Sequence, residues 1–224
     1  MYRGVWQALG LVPYPIGLGI QRRVAEERAA GLRSDTLLLL EHPPTITLGR
    51  RADEGDVLWD AERLARAGIA VERVERGGRA TYHGPGQLIG YAITRLSSQG
   101  RGVRRFVSGL EALLLDVAAG FHVAASVRAG HPGLWVGDRK LASIGIEVRR
   151  GVSRHGFALN VDVDLQPFAA IIPCGMPGVE VTDLARESGS RISIEKAARQ
   201  VLAAWRRRFG EIEEEAAHGL DAAG

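Results

Sequence analysis

Gly133-Leu134-Trp135-Val136-Gly137-Asp138-Arg139-Lys140-Leu141-Ala142-Ser143-Ile144-Gly145-Ile146-Glu147 reads as two strands joined by a Gly-Asp turn. Tight turns join antiparallel neighbours, whereas parallel strands need long crossovers, so this stretch argues against a purely parallel, doubly wound sheet. A strand-like run at 155–162 extends the hairpin cluster. Runs at 4–9, 35–41, 45–49, 69–75, 79–82 and 87–95 alternate in hydropathy or are rich in β-branched residues, and predict further strands. Helical spacing falls between and after them. Ile16, Ile20, Val24 and Ala25 mark a helix over 15–30 ending at Gly31, and Asp60 caps a short one over 60–67. Phe106, Leu110, Leu113, Leu114 and Val117 mark another over 103–119, and Ile194, Ala197, Ala198, Val201 and Trp205 one over 193–209. The expected fold class is α/β in the α+β sense: a mixed sheet with hairpins and flanking helices.

With 224 residues and 46% apolar content, residues 1–224 are expected to form one domain with a full core, fraying over about 215–224. A single cysteine leaves no disulfide framework and no Cys-rich metal site, which fits a reducing cytosol; no metal is expected. Met1 to Leu9 lacks a charged segment followed by a long apolar run, and no stretch approaches a membrane span. The expectation is a soluble, unprocessed, cytoplasmic protein that makes no membrane contact. Net charge is +3 with a pI near 9.4, and arginines cluster at 22–23, 50–51, 104–105, 149–150 and 206–208, which suits acidic partners. Without a zinc finger, a basic tail or aromatic residues interleaved with the arginines, an acidic protein is the partner expected, not nucleic acid.

Cys174 sits in Ile171-Ile172-Pro173-Cys174-Gly175-Met176-Pro177-Gly178, where two prolines stiffen the chain and two glycines remove bulk around the sulfur. A lone cysteine is most often a small buried hydrophobe, but this turn presents its thiol as a nucleophile does. The chain has only two lysines, Lys140 and Lys196, against a combined Lys and Arg count of 29. Arginine serves wherever a fixed charge is enough, and a buried ammonium can exchange protons where a guanidinium cannot. Lys196 lies on an amphipathic helix and reads as a solvated face residue, so Lys140 is the candidate for chemistry.

Arg76-Gly77-Gly78-Arg79-Ala80-Thr81-Tyr82-His83-Gly84-Pro85-Gly86-Gln87-Leu88 gathers glycines around a short strand-like piece and admits close approach by a ligand. It is neither a Walker loop nor a dinucleotide fingerprint, because the Lys-Ser/Thr ending and the strand-to-helix setting are missing. Gly156-Phe157-Ala158-Leu159-Asn160-Val161 after His155 reads either as the wall of an apolar channel, with Asn160 bonding backbone, or as an ordinary core strand.

Taken together, the segments 76–87, 137–145, 155–161 and 173–176, with Glu-His-Pro-Pro-Thr-Ile-Thr-Leu-Gly-Arg at 41–50, closely resemble the octanoyltransferase family of lipoate biosynthesis, the lipoate-protein ligase B type. The matches run in family order from about residue 35 to 185. The resemblance implies the α/β domain shared with lipoate and biotin ligases, and transfer of an octanoyl group from acyl carrier protein to a lysine on lipoyl domains. The acceptors implied are the lipoyl domains of 2-oxoacid dehydrogenases and the glycine cleavage H protein. Carried across, Cys174 becomes the acyl-thioester nucleophile and Lys140 its partner. Arg76, Gly77, Gly78, Arg79, Ala80, Thr81, Tyr82 and His83 become acyl-binding residues, as do Ser143, Ile144 and Gly145, and Gly156, Phe157 and Ala158.

The implied chemistry needs no cofactor, since thioester exchange is nearly isoenergetic and amide formation from a thioester runs downhill. A thiol titrates near 8.5 in isolation and attacks as the thiolate, a form that an adjacent ammonium stabilises. The backbone N–H groups around Cys174 and Gly175 are candidates to hold the oxyanion, and His83 either assists or shapes the pocket. His42 and His155 read as structural, and His122, His131 and His218 are assigned no role. Two rivals stand: an ATP-dependent lipoate or biotin ligase on the same scaffold, and a non-catalytic acyl-carrier-binding module in which Cys174 is merely buried. A cysteine hydrolase using Cys174 and His83 is less attractive beside the paired lysine.

Overall fold

The computed structural model describes residues 4–96 and 101–215. The chain opens with β1 (Gly4–Leu11), α1 (Tyr14–Ala29), β2 (Thr36–Glu41) and β3 (Thr45–Leu48), followed by α2 (Ala61–Arg66), β4 (Ala70–Arg73), β5 (Ala80–His83) and β6 (Gln87–Ile93). After α3 (Arg101–Gly120) come β7 (Ser126–Arg128), β8 (His131–Val136), β9 (Arg139–Arg149) and β10 (Val152–Asn160). The last elements are α4 (Leu184–Ser188), α5 (Ile194–Phe209) and β11 (Ile212–Glu214). An eight-stranded sheet runs in the order β11-β1-β2-β6-β10-β9-β8-β7, and a three-stranded sheet in the order β4-β3-β5. Only the β11-β1-β2 edge of the large sheet is parallel; β2 onward is antiparallel, as the tight turns require.

Leu37-Leu38-Leu39-Leu40 shows why the large sheet is covered on both faces, since a continuous apolar run buries residues of both parities. Leu37 and Leu39 join the core under α3 and α5, with Leu110, Leu113, Leu114 and Trp205. Leu38 and Leu40 join the core under α1, with Ile20, Val24 and Ala25. The small sheet has its own core of Ile46, Leu48, Tyr82, Phe168 and Ile171. Between it and the α1-covered face of the large sheet lies a cleft, and the loop 76–79 docks on β9 through Gly77 N–H donating to Ile146 O at 3.0 Å.

Asp60 accepts from the Arg63 N–H at 2.7 Å and caps α2. Asp60→Ala is therefore expected to lower stability by about 1 kcal/mol, read as a shift in urea midpoint; an unmoved midpoint would show the cap to be idle. Three elements carry no periodic signal and go unforeseen: β7, the one-turn α4, and β11. The segment 211–215 is tied to β1. Gly4 to Trp6 pair in parallel with Ile212 to Glu214, and Glu215 N–H donates to Trp6 O at 2.9 Å; 216–224 lie outside the described residues. No helix among the described residues is long and apolar enough to cross a membrane.

Candidate active site

Cys174 stands on a 3-10 turn over Pro173–Gly175, half-buried, in the left-handed conformation with φ 56° and ψ 18°. For a residue with a Cβ this costs on the order of 1 kcal/mol or more and persists only where its surroundings enforce it. Here the enforcement is visible. Ile172 N–H donates to Asp56 O at 2.9 Å, and Gly175 N–H donates to Ile172 O at 3.1 Å. The Asp56 carboxylate, fully buried, receives Arg79 Nε at 3.0 and 2.9 Å, while Arg79 Nη2 reaches Asp53 at 2.5 Å. The stem of Arg79 lies against Gly175, where a Cβ would sit 2.3 Å from Arg79 Cδ. Asp56 thus positions the cysteine turn, which no motif in the sequence announces. The Gly175 N–H, one of the oxyanion candidates, is already committed within the turn.

Lys140 is the second residue of β9 and is 3% exposed. Its backbone is stitched to the segment after the cysteine turn, with Lys140 N–H donating to Glu180 O at 2.8 Å and Thr182 N–H to Lys140 O at 2.9 Å. Nζ donates to Pro132 O at 3.3 Å and lies 4.4 Å from the Trp135 ring centroid. Burial lowers the Lys140 pKa; the neighbouring Cys174, by charge and hydrogen bonding, pulls the other way without cancelling it.

Arg76 is 8% exposed, and its guanidinium is bonded to neutral acceptors: Thr47 O at 2.6 Å, Thr47 Oγ1 at 2.7 and 3.2 Å, and Gly77 O at 3.1 Å. Room for it exists because position 49 is glycine; a Cβ there would meet Arg76 Nη1 at 2.9 Å and Gly78 O at 2.6 Å. His83 has both ring nitrogens engaged, Nδ1 with Gln87 Oε1 at 2.8 Å and Nε2 with Thr47 Oγ1 at 3.2 Å. Gln87 Nε2 donates to Asn160 Oδ1 at 2.9 Å, and Asn160 Nδ2 to Thr182 O at 2.9 Å, which ties the histidine to the lysine strand. His83 thus lines the cleft with both ring nitrogens occupied, and burial pushes its pKa well below the usual imidazole range.

The cleft encloses about 500 Å³ of empty space, its open mouth included. Arg76 to Thr81, His83, Ser143 to Gly145, Gly156 to Ala158 and Cys174 line it. Tyr82 does not: strand alternation sends Thr81 and His83 to the cleft and the Tyr82 ring into the small-sheet core, 5.3 Å from Phe168. Tyr14, Ile89, Tyr91 and His155 complete the wall, unassigned from sequence because aromatic and aliphatic residues at helix starts and strand interiors look the same whether they face a core or a cleft. A Cβ at Gly90 would meet the Phe157 ring at 2.2 Å, so Gly90 sets where that ring stands.

His42 braces this wall, with Nδ1 bonded to Val12 O at 2.6 Å and Nε2 to Tyr91 Oη at 2.7 Å. Burial lowers its pKa to about 4. The unfolded chain takes up this proton near pH 6.5, so the contribution of neutral His42 is complete above that pH and disappears as pH falls to about 4. The loss is on the order of 3 kcal/mol. Urea midpoints of wild type and His42→Gln should converge as pH drops through this window; a constant gap would contradict the assignment.

The matching family model is that of the lipoyl protein ligase A/B catalytic domain, over residues 13–206. An octanoyltransferase of Geotalea uraniireducens is 48% identical over 186 residues, 83% of this chain and 84% of the relative. In fold, the chain resembles the bipartite lipoate protein ligase of Thermoplasma acidophilum, with TM-score 0.74, 14% identity, and 96% and 86% of the two chains covered. It also resembles the biotin protein ligase of Aquifex aeolicus, with TM-score 0.52, 12% identity, and 93% and 69% covered. The expected α/β ligase-like fold is therefore the fold observed. With the family model spanning most of the sequence and an octanoyltransferase nearly half identical to it, the chain belongs to the lipoyl protein ligase A/B catalytic-domain family and is an acyltransferase of the octanoyltransferase kind.

Proposed function

We propose that the protein moves an octanoyl group from acyl carrier protein, through a thioester on Cys174, to a lysine of lipoyl domains in the cytoplasm, without ATP. The acceptors are the lipoyl domains of 2-oxoacid dehydrogenases and the glycine cleavage H protein. The observation that carries this is the sole cysteine, held left-handed at an apolar cleft against a buried lysine.

In the first half-reaction the Cys174 thiolate attacks the donor's thioester carbonyl. The carbon–sulfur bond to the carrier breaks, and the departing thiolate takes a proton from the Lys140 ammonium. Lys140 is left neutral, a state that its burial already favours. In the second half-reaction the acceptor amine attacks the acyl-Cys174 carbonyl and gives its proton to Lys140, and the Cys174 thiolate leaves. The amide is formed and the starting ion pair is restored, so one lysine serves both steps. Arg76 to Thr81 and the strand pair 143–145 and 156–158 hold the chain meanwhile.

Intact-protein mass spectrometry tests the reading. After brief exposure to octanoyl-carrier protein without nucleotide, the protein should gain one hydroxylamine-labile octanoyl group, which then moves to an added lipoyl domain. Acylation of the lipoyl domain only with ATP and free acid would replace this reading with a ligase.

A further inference from the structure

The cleft changes character along its length. Ser143 pairs with Ala158, Gly145 with Gly156 and Ile146 with His155, so from Ser143 to Ile146 the wall covers three strand steps, about 10 Å. Cys174 stands at the Lys140 end, and the large-sheet wall beyond it is apolar or bare, with Ile89, Ile144, Gly145, Gly156 and Phe157; Arg76 lies across from Gly145, its guanidinium bonded to Thr47 and Gly77 O. At the other end this stops. His155, left-handed at φ 60° and 2% exposed, departs from the alternation of β10 and brings its ring to the cleft beside Tyr91, at 6.2 Å. Ligand atoms of His155, Glu75 and Glu147 lie within 4.8 Å of one another. Each carboxylate is held by its own guanidinium, Glu75 by Arg22 at 2.6 Å and Glu147 by Arg154 Nε at 3.1 Å. The cluster is therefore an ion-paired wall. His155 Nε2 and Glu75 Oε2 face this region buried, without a hydrogen-bond partner among the described residues.

We propose that His155, with the Arg22–Glu75 and Arg154–Glu147 pairs behind it, is the end stop that fixes acyl length in this protein. The proposal rests on the acyl-transfer reading above. An all-trans eight-carbon chain measures about 9 Å with carbon–carbon bonds near 1.5 Å, which matches the three-step stretch of wall from Ser143 to Ile146. Two further methylenes must press on ion pairs and buried polar atoms, displacing hydration and returning no hydrogen bond. Chains shorter than eight carbons leave apolar wall uncovered, at about fourfold per methylene. Burial and the Arg76, Arg154 and Arg22 charges lower the His155 pKa to about 3, so the stop is a neutral ring at working pH.

The test is kcat/KM for hexanoyl, octanoyl, decanoyl and dodecanoyl thioesters of one carrier protein, with wild type, His155→Ala and Glu75→Leu. Glu75→Leu frees Arg22, which is exposed enough to hydrate, so it remains a usable variant if His155→Ala does not fold. Wild type should lose at least tenfold from octanoyl to decanoyl, and both variants should bring that ratio near one. Variants that keep the wild-type ratio, or a wild type that transfers dodecanoyl as fast as octanoyl, would overturn the end stop while leaving the transfer reading intact. A wild type that takes no acyl group from any thioester overturns the transfer reading instead.

Discussion

Cys174→Ala should form no detectable acyl-enzyme and lose transfer by roughly 10³-fold or more, the scale seen when a covalent nucleophile is removed and only binding and electrostatics remain. Alanine fits the space but keeps the strain, because any Cβ at φ 56° is crowded. Cys174→Gly removes the strain as well as the thiol. We expect that variant to be at least as stable as wild type in urea, by up to about 1 kcal/mol, and just as inactive. This opposed pair of outcomes separates a nucleophile from a packing residue: a structural cysteine would lose stability on truncation and leave transfer nearly intact. Transfer within tenfold of wild type in either variant, with lipoyl-domain modification now following ATP, would remove the covalent mechanism altogether.

What the sequence discloses about this fold is uneven for physical reasons. The Gly-Asp turn at 137–138 and the runs around it are local signals, and β8, β9 and β10 lie within a few residues of the predicted strands. Asp60 and Gly31 likewise mark helix ends by chemistry that needs no tertiary context. β11 is three residues long, acidic, and a strand only because β1 offers it an edge; nothing local distinguishes it from a fraying tail. The same divide runs through the site. Motif residues were legible because glycine, lysine and cysteine are scarce or conformationally distinctive there. Asp56, Tyr14, Tyr91 and His155 act through long-range contacts, and His155 changes from a strand residue to a cleft residue only through its left-handed φ. Tyr82 differs in the opposite sense: it lies within the glycine-rich motif at 76–88, yet the period of two along β5 turns its ring away from the cleft.

Lys140→Met should impair both half-reactions, transfer to the lipoyl domain more severely, by about 10²- to 10⁴-fold. Methionine keeps the length and the apolar contact with Trp135 but supplies no proton and no charge. Lys140→Arg should preserve the charge that favours the Cys174 thiolate and so retain more of the first half-reaction than Lys140→Met, although it gives no proton to the departing thiolate, and should fail in the second, because a guanidinium that stays protonated cannot accept the amine's proton. The pH dependence distinguishes a proton carrier from a structural charge. In wild type the rate at which a preformed acyl-enzyme passes its acyl group to the acceptor should rise with pH and level off below the range of an ordinary lysine, since burial lowers the Lys140 pKa. In Lys140→Met the acceptor amine must lose its proton unaided, so the rising limb should move up toward about 10, the value of a free lysine. Single-turnover rates across that range would show it; limbs that coincide in the two proteins would mean that Lys140 only holds Cys174 in place.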